Sequence, residues 1–514
     1  MSRACCRCRR ARIPISKCLV AAQLLALRAA QLLALRAAQL LALRAAQLLA
    51  LRAAQLLALR DAYMELPTTA TVNGRMSTQL QYQPDALAQQ LAHAIRLADS
   101  LFDMLTEDAW LMRPIALRHP CVFYYGHLSA FAWNQVFRYT LGRDSFNAEF
   151  DQLFERGIDP PDTDEPSGHT AVLRWPDRGA IAEYKSRVET SLFDLIRSRL
   201  GDSKTREALY MVLEHYLMHV ETFSYMLHQL PNHFKRRPAD ESVKYLDRAV
   251  RNQVIEIPGG LVTLGARRGS LEFGWDNEFG ELSAISQTFA VDRFPTTNGE
   301  YLKFVESGGY SNRRLWSDDG WRWVTSTNLA YPRFWSPSPR HGWRFRGMFA
   351  EEPLLMSAPV WVSHVEAEAF ARWKGARLLT EVEYHRCAFG TADGDERLYP
   401  WGFAVPRSVY GDFGELRFTP TPVGSHPDGA SAFGVEDLMG GGWEWTSTLL
   451  APFPDFSAHP TYAGYSADFF KDTHFVMKGA SPVTPVRLLR RSFRNWFQPH
   501  YPYVYAKFRC AYDV

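Results

Sequence analysis

The sequence predicts an α+β protein in which a helical bundle precedes an irregular, loop-rich domain. Three observations carry this. Residues 80–235 hold long runs with apolar residues at helical spacing. From about residue 250 the texture changes to short strand-like runs broken by Gly, Pro and Trp. The chain, at 514 residues, is long enough for two or three domains, each with its own core.

The first 60 residues stand apart. Residues 21–60 are five copies of AAQLLALR. A period of eight drifts about 80° around a helix per repeat, so the leucines form no single stripe. This is helix-prone low-complexity sequence and not a solenoid unit. Ten arginines and Lys17 stand here without one acid. An inert extension is the first expectation, with Met64 or Met76 as the effective start. An Arg-rich, acid-free transit peptide is the alternative. The chain's formal charge of +3, less the +11 of this leader, leaves a body near −8. A mildly acidic body argues against nucleic acid as a partner. No run of about 18 uncharged apolar residues predicts a membrane span. Cys5, Cys6, Cys8 and Cys18 lie in the leader but lack a second pair at zinc-finger spacing. Cys121, Cys387 and Cys510 are far apart, so a reducing compartment is expected: the cytoplasm, or an organelle if the leader is an import signal.

The helical half reads in order. "PDALAQQLAHAIRLADSLFDML" starts a helix after Pro84, and "HPCVFYYGHLSAFAW" opens another. "AIAEYKSRVETSLFDLIRSRL" and "TREALYMVLEHYLMHVETFSYMLHQL" follow a loop rich in Pro and Asp, "FERGIDPPDTDEPSGH". Long helices with long connections fit a four-helix bundle, whose facing helices can build a metal site. In the second half "VIEIPGGLVTLGARRG" alternates and turns, and "SHVEAEAFARWKGA" predicts a helix.

His215 and His219 project from one helical face, one turn apart, as two ligands of one ion require. Taken alone, such a pair is more often surface or core than ligand. Glu221 lies about 200° round from His219, which suits packing or an outer support of the ligands. Tyr216 follows the first histidine, so the string is not the H-E-x-x-H of zinc proteases. His127 is the best third ligand, with His119, His169 and His228 as competitors. Phe123, Tyr124 and Tyr125 beside His127 point to a lined pocket. Three imidazoles leave about three positions open on an octahedral ion. That suits Fe(II) chemistry with substrate and dioxygen, and also catalytic zinc with water.

"HPCVFYYGH" with "EHYLMHVETFSYMLHQLP" resembles the DinB-like iron-binding helical domain of the ergothioneine and ovothiol sulfoxide synthases. "IPGGLVTLGA", "PVWVSHVEAEAFARWKGARLLTEVEYHRCAFG", "LYPWG", "GVEDLMGGGWEWT" and "FRCA" resemble the formylglycine-generating-enzyme fold, related to C-type lectins. The two in this order are the architecture of those synthases. After the low-complexity basic leader at 1–63, the resemblance, which covers roughly residues 85–514, implies a DinB-like bundle at 80–240 and a formylglycine-generating-enzyme-like domain at 250–514. It implies an enzyme with Fe(II) on His127, His215 and His219. That enzyme uses dioxygen to join a thiol to C2 of a histidine-derived imidazole as a sulfoxide. Tyr462 and Tyr465 in "TYAGYSADFF" match a tyrosine pair, of which Tyr462 matches the residue that delivers a proton or hydrogen atom. Trp496 in "RNWFQPHYPY" matches a tryptophan that packs on the imidazole substrate, and Phe123 matches an aromatic wall. Aromatic faces also suit the trimethylammonium of hercynine.

Relatives that take γ-glutamylcysteine carry an aspartate and an arginine where this chain has Phe497 and Tyr501. Losing both charges favours free cysteine, as in the fungal-type synthases. No Gly-rich strand-turn-helix for S-adenosylmethionine is legible, so hercynine would come from a separate methyltransferase, and a separate C–S lyase would act on the product. Met218 replaces a glutamine of some relatives, "GGGWEW" departs from their usual Gly-Asn, and "KGASPVTP" from a Gly-Ser-Trp run. Formylglycine generation is disfavoured, because its cysteine pair has no counterpart between Cys387 and Cys510. An ovothiol-type enzyme acting on histidine and a selenoneine synthase are the nearest rivals. A lectin-like protein that binds metal or ligand without catalysis is the rival of another class.

Overall fold

The computed structural model describes residues 84–155, 174–238, 247–248, 250–414 and 416–514. The leader expectations and the candidate ligand His169 lie outside the described residues. The class expected from sequence is the class found: helices first, then a sheet-rich, loop-rich half.

The helical half is built from α1 (Pro84–Asp103), α2 (Cys121–Ala132), the short α3 (Ala148–Leu153), α4 (Arg178–Arg199) and α5 (Ser203–Gln229). Their starts follow from local chemistry. Asp177 caps α4 by accepting from the Gly179 amide at 2.8 Å, and Asp202 caps α5 by accepting from the Thr205 amide at 2.8 Å. α2 does not stop at Ala132. It runs into a π-helical stretch, Trp133–Thr140, whose wider turn changes the direction of the side chains that follow. α1 packs on α5, and α2 packs on both α4 and α5.

α5 is buried nearly all round. One face meets the bundle and the opposite face meets the second half of the chain. That second contact is polar and recurs every seven residues. Glu214 takes both Nη atoms of Arg490, at 3.0 and 2.9 Å. Glu221 accepts from the Trp443 indole and, at 2.8 Å, from the Thr484 hydroxyl. His228 lies 3.0 Å from the Tyr505 hydroxyl and 2.7 Å from the Arg346 carbonyl. Seven residues are close to two helical turns, so the three share one stripe.

The second half holds thirteen strands among the described residues. In one sheet β1 (Val254–Ile257), β4 (Phe289–Asp292), β13 (Cys510–Asp513) and β8 (Arg377–Leu378) lie in that order. The last strand of the chain is thus an inner strand, with Ala511 opposite Val291 and Cys510 opposite Leu378. A second sheet orders β11 (Asn495–Phe497), β10 (Phe475–Ala480), β9 (Gly442–Leu449) and β12 (Ala506–Lys507). β9 and β12 are parallel, and the other pairs of that sheet are antiparallel. Hairpin β2–β3 (Gly260–Leu264, Leu282–Ser286) and the sheet β5–β6–β7 (Trp335–Ser338, Gly342–Arg346, Glu351–Pro353) complete the set.

The glycines before β9 have a steric cause. Gly440, Gly441 and Gly442 all have positive φ (96°, 70° and 148°), and a Cβ on Gly440 would sit 2.5 Å from the Asp412 amide nitrogen. This turn lets Trp443 leave the loop pointing at Glu221. Four short helices pack around the sheets: α6 (Asn298–Glu306), α7 (Asp318–Ser326), α8 (His364–Lys374) and α9 (Glu381–Phe389). α8 is the helix expected from sequence, with a Ser363–Glu366 capping box and Gly375 at φ 72° after its end. Among the described residues no helix is long and apolar enough to cross a membrane.

Candidate metal centre

Pro120 precedes α2, and the helix then carries His127 inward with ten of its other residues. Gly126 is required here, because a Cβ on it would lie 2.6 Å from the Phe154 ring. That close approach brings the Phe154 carbonyl to 2.7 Å from His127 Nδ1. An Nδ1–H donated to this carbonyl leaves Nε2 with its lone pair free for a metal. α5 supplies His215 and His219 from consecutive turns. The three imidazole centroids are 5.0, 4.9 and 4.4 Å apart, and one nitrogen from each ring lies within 4.8 Å of the others.

Electrostatics keep these rings neutral. Burial pushes His127 down to about 4, against the helping bond to Phe154. Burial, then the neighbouring histidines, push His215 well below its ordinary value. Burial, then His127 and the Arg118 charge, do the same for His219. The Nδ1 atoms of His215 and His219 are buried and have no hydrogen-bond partner among the described residues. Three neutral nitrogen donors, with no proton to displace and buried polar atoms unsatisfied, fit a divalent transition metal.

Packing fixes the rings. Phe131, one turn beyond His127, stacks flat on His215 with centroids 3.6 Å apart and planes 7° apart. Phe123, one turn before, lies parallel to His127 at 5.3 Å. Phe123 is backed by Phe154 and Trp175 and does not line the cavity in front of the triad. The wall expected of Phe123 is therefore a buttress for His127. Its i, i+4 spacing on α2 puts the two rings on one face, and closes that face with other aromatics.

The cavity in front of the triad has a volume of about 170 Å³. Tyr462, Tyr465, Trp496 and Phe497 all line it, as do Trp443, Tyr225 and Arg118. Tyr462 meets the Phe131 ring edge-on at 5.1 Å, so Phe131 touches both His215 and Tyr462. Tyr465 stacks on Trp275 at 4.1 Å, and its hydroxyl donates to Met218 Sδ at 3.6 Å. Burial, then the Glu278 and Asp276 charges, hold the Tyr465 phenol well above its ordinary value. Trp496 stands perpendicular to Tyr465 at 5.3 Å. Phe497 stacks on Tyr501 at 5.0 Å. Arg118 donates to the hydroxyls of Tyr225 at 2.9 Å and Tyr501 at 3.0 Å.

The competing histidines go elsewhere. His119 stacks on Phe123 at 4.1 Å, and His228 belongs to the stripe of α5 that meets the second half. Glu221 packs at the cavity wall, and burial raises its carboxyl while Trp443 and Thr484 hold it. Sequence reasoning missed Trp443 and Arg118 as wall residues and missed the bonds of Glu214. The seven-residue spacing of Glu214, Glu221 and His228 was the available signal.

The profile of the sulfatase-modifying factor enzyme 1-like domain matches residues 241–514. The hercynine oxygenase of Mycobacterium tuberculosis is 42% identical over 229 residues, covering 44% of this chain and 53% of that protein. Ergothioneine biosynthesis protein 1 of Neurospora crassa is 28% identical over 493 residues, covering 80% of this chain and 56% of that protein. The formylglycine-generating enzyme of Mycobacterium tuberculosis is 29% identical over 236 residues, covering 39% of this chain and 75% of that protein. The chain spans little more than half the length of the first two relatives.

Proposed function

We propose that this chain, which belongs to the sulfatase-modifying factor enzyme 1-like family through more than half its length, is an iron- and dioxygen-dependent sulfoxide synthase of ergothioneine biosynthesis. It joins the sulfur of cysteine to C2 of the hercynine imidazole. The balance is one thiol, one imidazole and one dioxygen giving one sulfoxide conjugate and one water. The observation that carries this reading is the convergence of three neutral imidazoles on an aromatic cavity that also holds Tyr462. The names of the hercynine oxygenase and ergothioneine biosynthesis relatives support it. The thiols argue against formylglycine chemistry. Among the described residues Cys121, Cys387 and Cys510 are buried and unpaired, and burial pushes the thiols of Cys121 and Cys510 up to about 12.

His127, His215 and His219 would hold Fe(II), which when bound supplies the redox chemistry linking dioxygen to the two substrates. The rest falls to the chain. Trp496, Tyr465 and Trp443 offer π faces to the trimethylammonium of hercynine, which cannot donate hydrogen bonds. Phe497 and Tyr501 put stacked rings where a γ-glutamyl arm would need charge, which favours free cysteine. The aromatic walls exclude water from the reacting groups. Tyr462, edge-on to Phe131, delivers a proton or hydrogen atom to the reacting sulfur and oxygen atoms.

The test is oxygen uptake by iron-loaded protein given cysteine with hercynine or with histidine, products read by mass. Hercynine-dependent uptake yielding the cysteine adduct plus one oxygen is expected. A histidine preference would move the enzyme to the ovothiol branch, and no uptake despite bound iron would sink the oxygenase reading. Tyr462→Phe is expected to divert turnover to plain thiol dioxygenation, one cysteine and one dioxygen giving one sulfinate.

A further inference from the structure

Tyr462 sits on a loop of the second half, yet its neighbour is tied to the helical half. Gln135 is buried in the π-helical stretch that extends α2. Its Nε2 donates to the Thr461 carbonyl at 3.2 Å, and the Thr461 hydroxyl donates to Gln135 Oε1 at 2.6 Å. One side-chain amide thus closes a reciprocal pair on the residue just before Tyr462. The loop itself is two tight turns, His459 to Tyr462 and Tyr462 to Tyr465, each closed by a backbone bond of 3.1 Å. On its own side Asp276 holds it, accepting from the Ser466 hydroxyl at 2.6 Å. Tyr462 therefore hangs between an anchor in each half.

The position it is held in separates two spaces. On one side is the cavity before the histidine triad. On the other is a second cavity of about 630 Å³, lined among others by Phe131, Gln135, Thr461 and Tyr462. Tyr462 lines both. Without the clamp the turn has room to let the phenol swing away from the metal side. A wider helical turn at a functional site is a recurring device, and here it aims Gln135 at the loop four residues after Phe131 touches the same tyrosine.

We infer that Gln135 is a positioning residue. Through its paired bonds with Thr461 it keeps the Tyr462 phenol on the metal side. It thereby sets the share of turnovers that end as sulfoxide and not as dioxygenated thiol. This rests on the role proposed above for Tyr462.

The test compares Gln135→Leu, Thr461→Val and Thr461→Ser with wild type in two readouts. Hydrogen exchange of residues 459–465 reports the clamp without turnover. It is expected to rise roughly tenfold in Gln135→Leu, the scale of two lost hydrogen bonds, with exchange around His215 and bound metal unchanged. The sulfoxide-to-sulfinate ratio is expected to fall roughly tenfold in Gln135→Leu and clearly in Thr461→Val. It should stay at the wild-type level in Thr461→Ser, which keeps the hydroxyl. Adding Gln135→Leu to Tyr462→Phe should change the ratio no further. An unchanged ratio in Gln135→Leu and Thr461→Val, beside an altered one in Tyr462→Phe, would overturn the inference alone. An unaltered ratio in Tyr462→Phe would overturn the role of that tyrosine and the inference with it.

Discussion

Arg490→Met removes the guanidinium that joins Glu214 on α5 to Glu278 in the second half. Arg490 binds Glu214 at 3.0 and 2.9 Å, and Glu278 at 2.7 and 2.5 Å. The side chains of Glu214 and Glu278 are 1% and 0% exposed. Without Arg490 two buried carboxylates are left with Arg487, 3.3 Å from Glu214, and with the Ser492 hydroxyl and the Trp275 amide, 2.8 and 2.9 Å from Glu278. Breaking a buried ion pair from one side costs about 3–5 kcal/mol. The pH dependence has a definite sign. Burial already raises the Glu214 carboxyl, and Arg490 only partly offsets it. Losing Arg490 raises it further, so the folded variant binds a proton at a pH where the unfolded chain does not. Its stability therefore falls as pH rises from the ordinary glutamate range through the raised value, and recovers on acidification. Urea unfolding followed by tryptophan fluorescence should show a gap to wild type of about 3–5 kcal/mol near pH 8, narrowing toward about pH 5. A gap below about 1 kcal/mol near pH 8, or one that widens on acidification, would refute the reasoning. Replacing Arg490, Glu214 and Glu278 together by Met should recover much of the loss.

Two further outcomes follow from the metal centre. Gly126→Ala would press a methyl into the Phe154 ring and move the carbonyl that orients His127; metal affinity should drop roughly 10–100-fold by competition with a chelator, the range for losing an outer partner of a ligand. Alanine at His127, His215 or His219 should each lower bound iron per chain by at least about tenfold, measured by elemental analysis, and should abolish the fall in Tm that a chelator causes in the loaded wild-type protein.

The long helices were legible because their apolar spacing survives tertiary folding. α4 and α5 follow the expected runs, and the one-turn spacing of His215 and His219 gave their common face. His127 needed more, since its place opposite α5 depends on how α2 packs. The π-helical stretch was not legible. Trp133–Thr140 continues the composition of α2, and the inserted residue that widens the turn leaves no mark in periodicity. Phe123 shows another limit. Sequence puts it one turn from His127, but which side of the ring it covers depends on Phe154 and Trp175, far along the chain. α9 went unread although Thr380 and Glu383 form a capping box, because a nine-residue helix has too few turns to show a stripe.

The stripe of Glu214, Glu221 and His228 also fixes height. The three contacts stand about 10.5 Å apart along α5. A slip of one turn, about 5.4 Å, would carry all three away from Arg490, Trp443 and Tyr505 together. Such a slip would leave the buried Glu214 and Glu221 carboxylates without these partners, so the face favours the one register. The vertical offset between the histidine pair and Tyr462 is then a stepped quantity, set by the docking face and not by the metal. Heating or denaturant that breaks this face should take the histidine pair and Tyr462 apart in one step with the rest of the fold, because one continuous hydrophobic core runs through both halves.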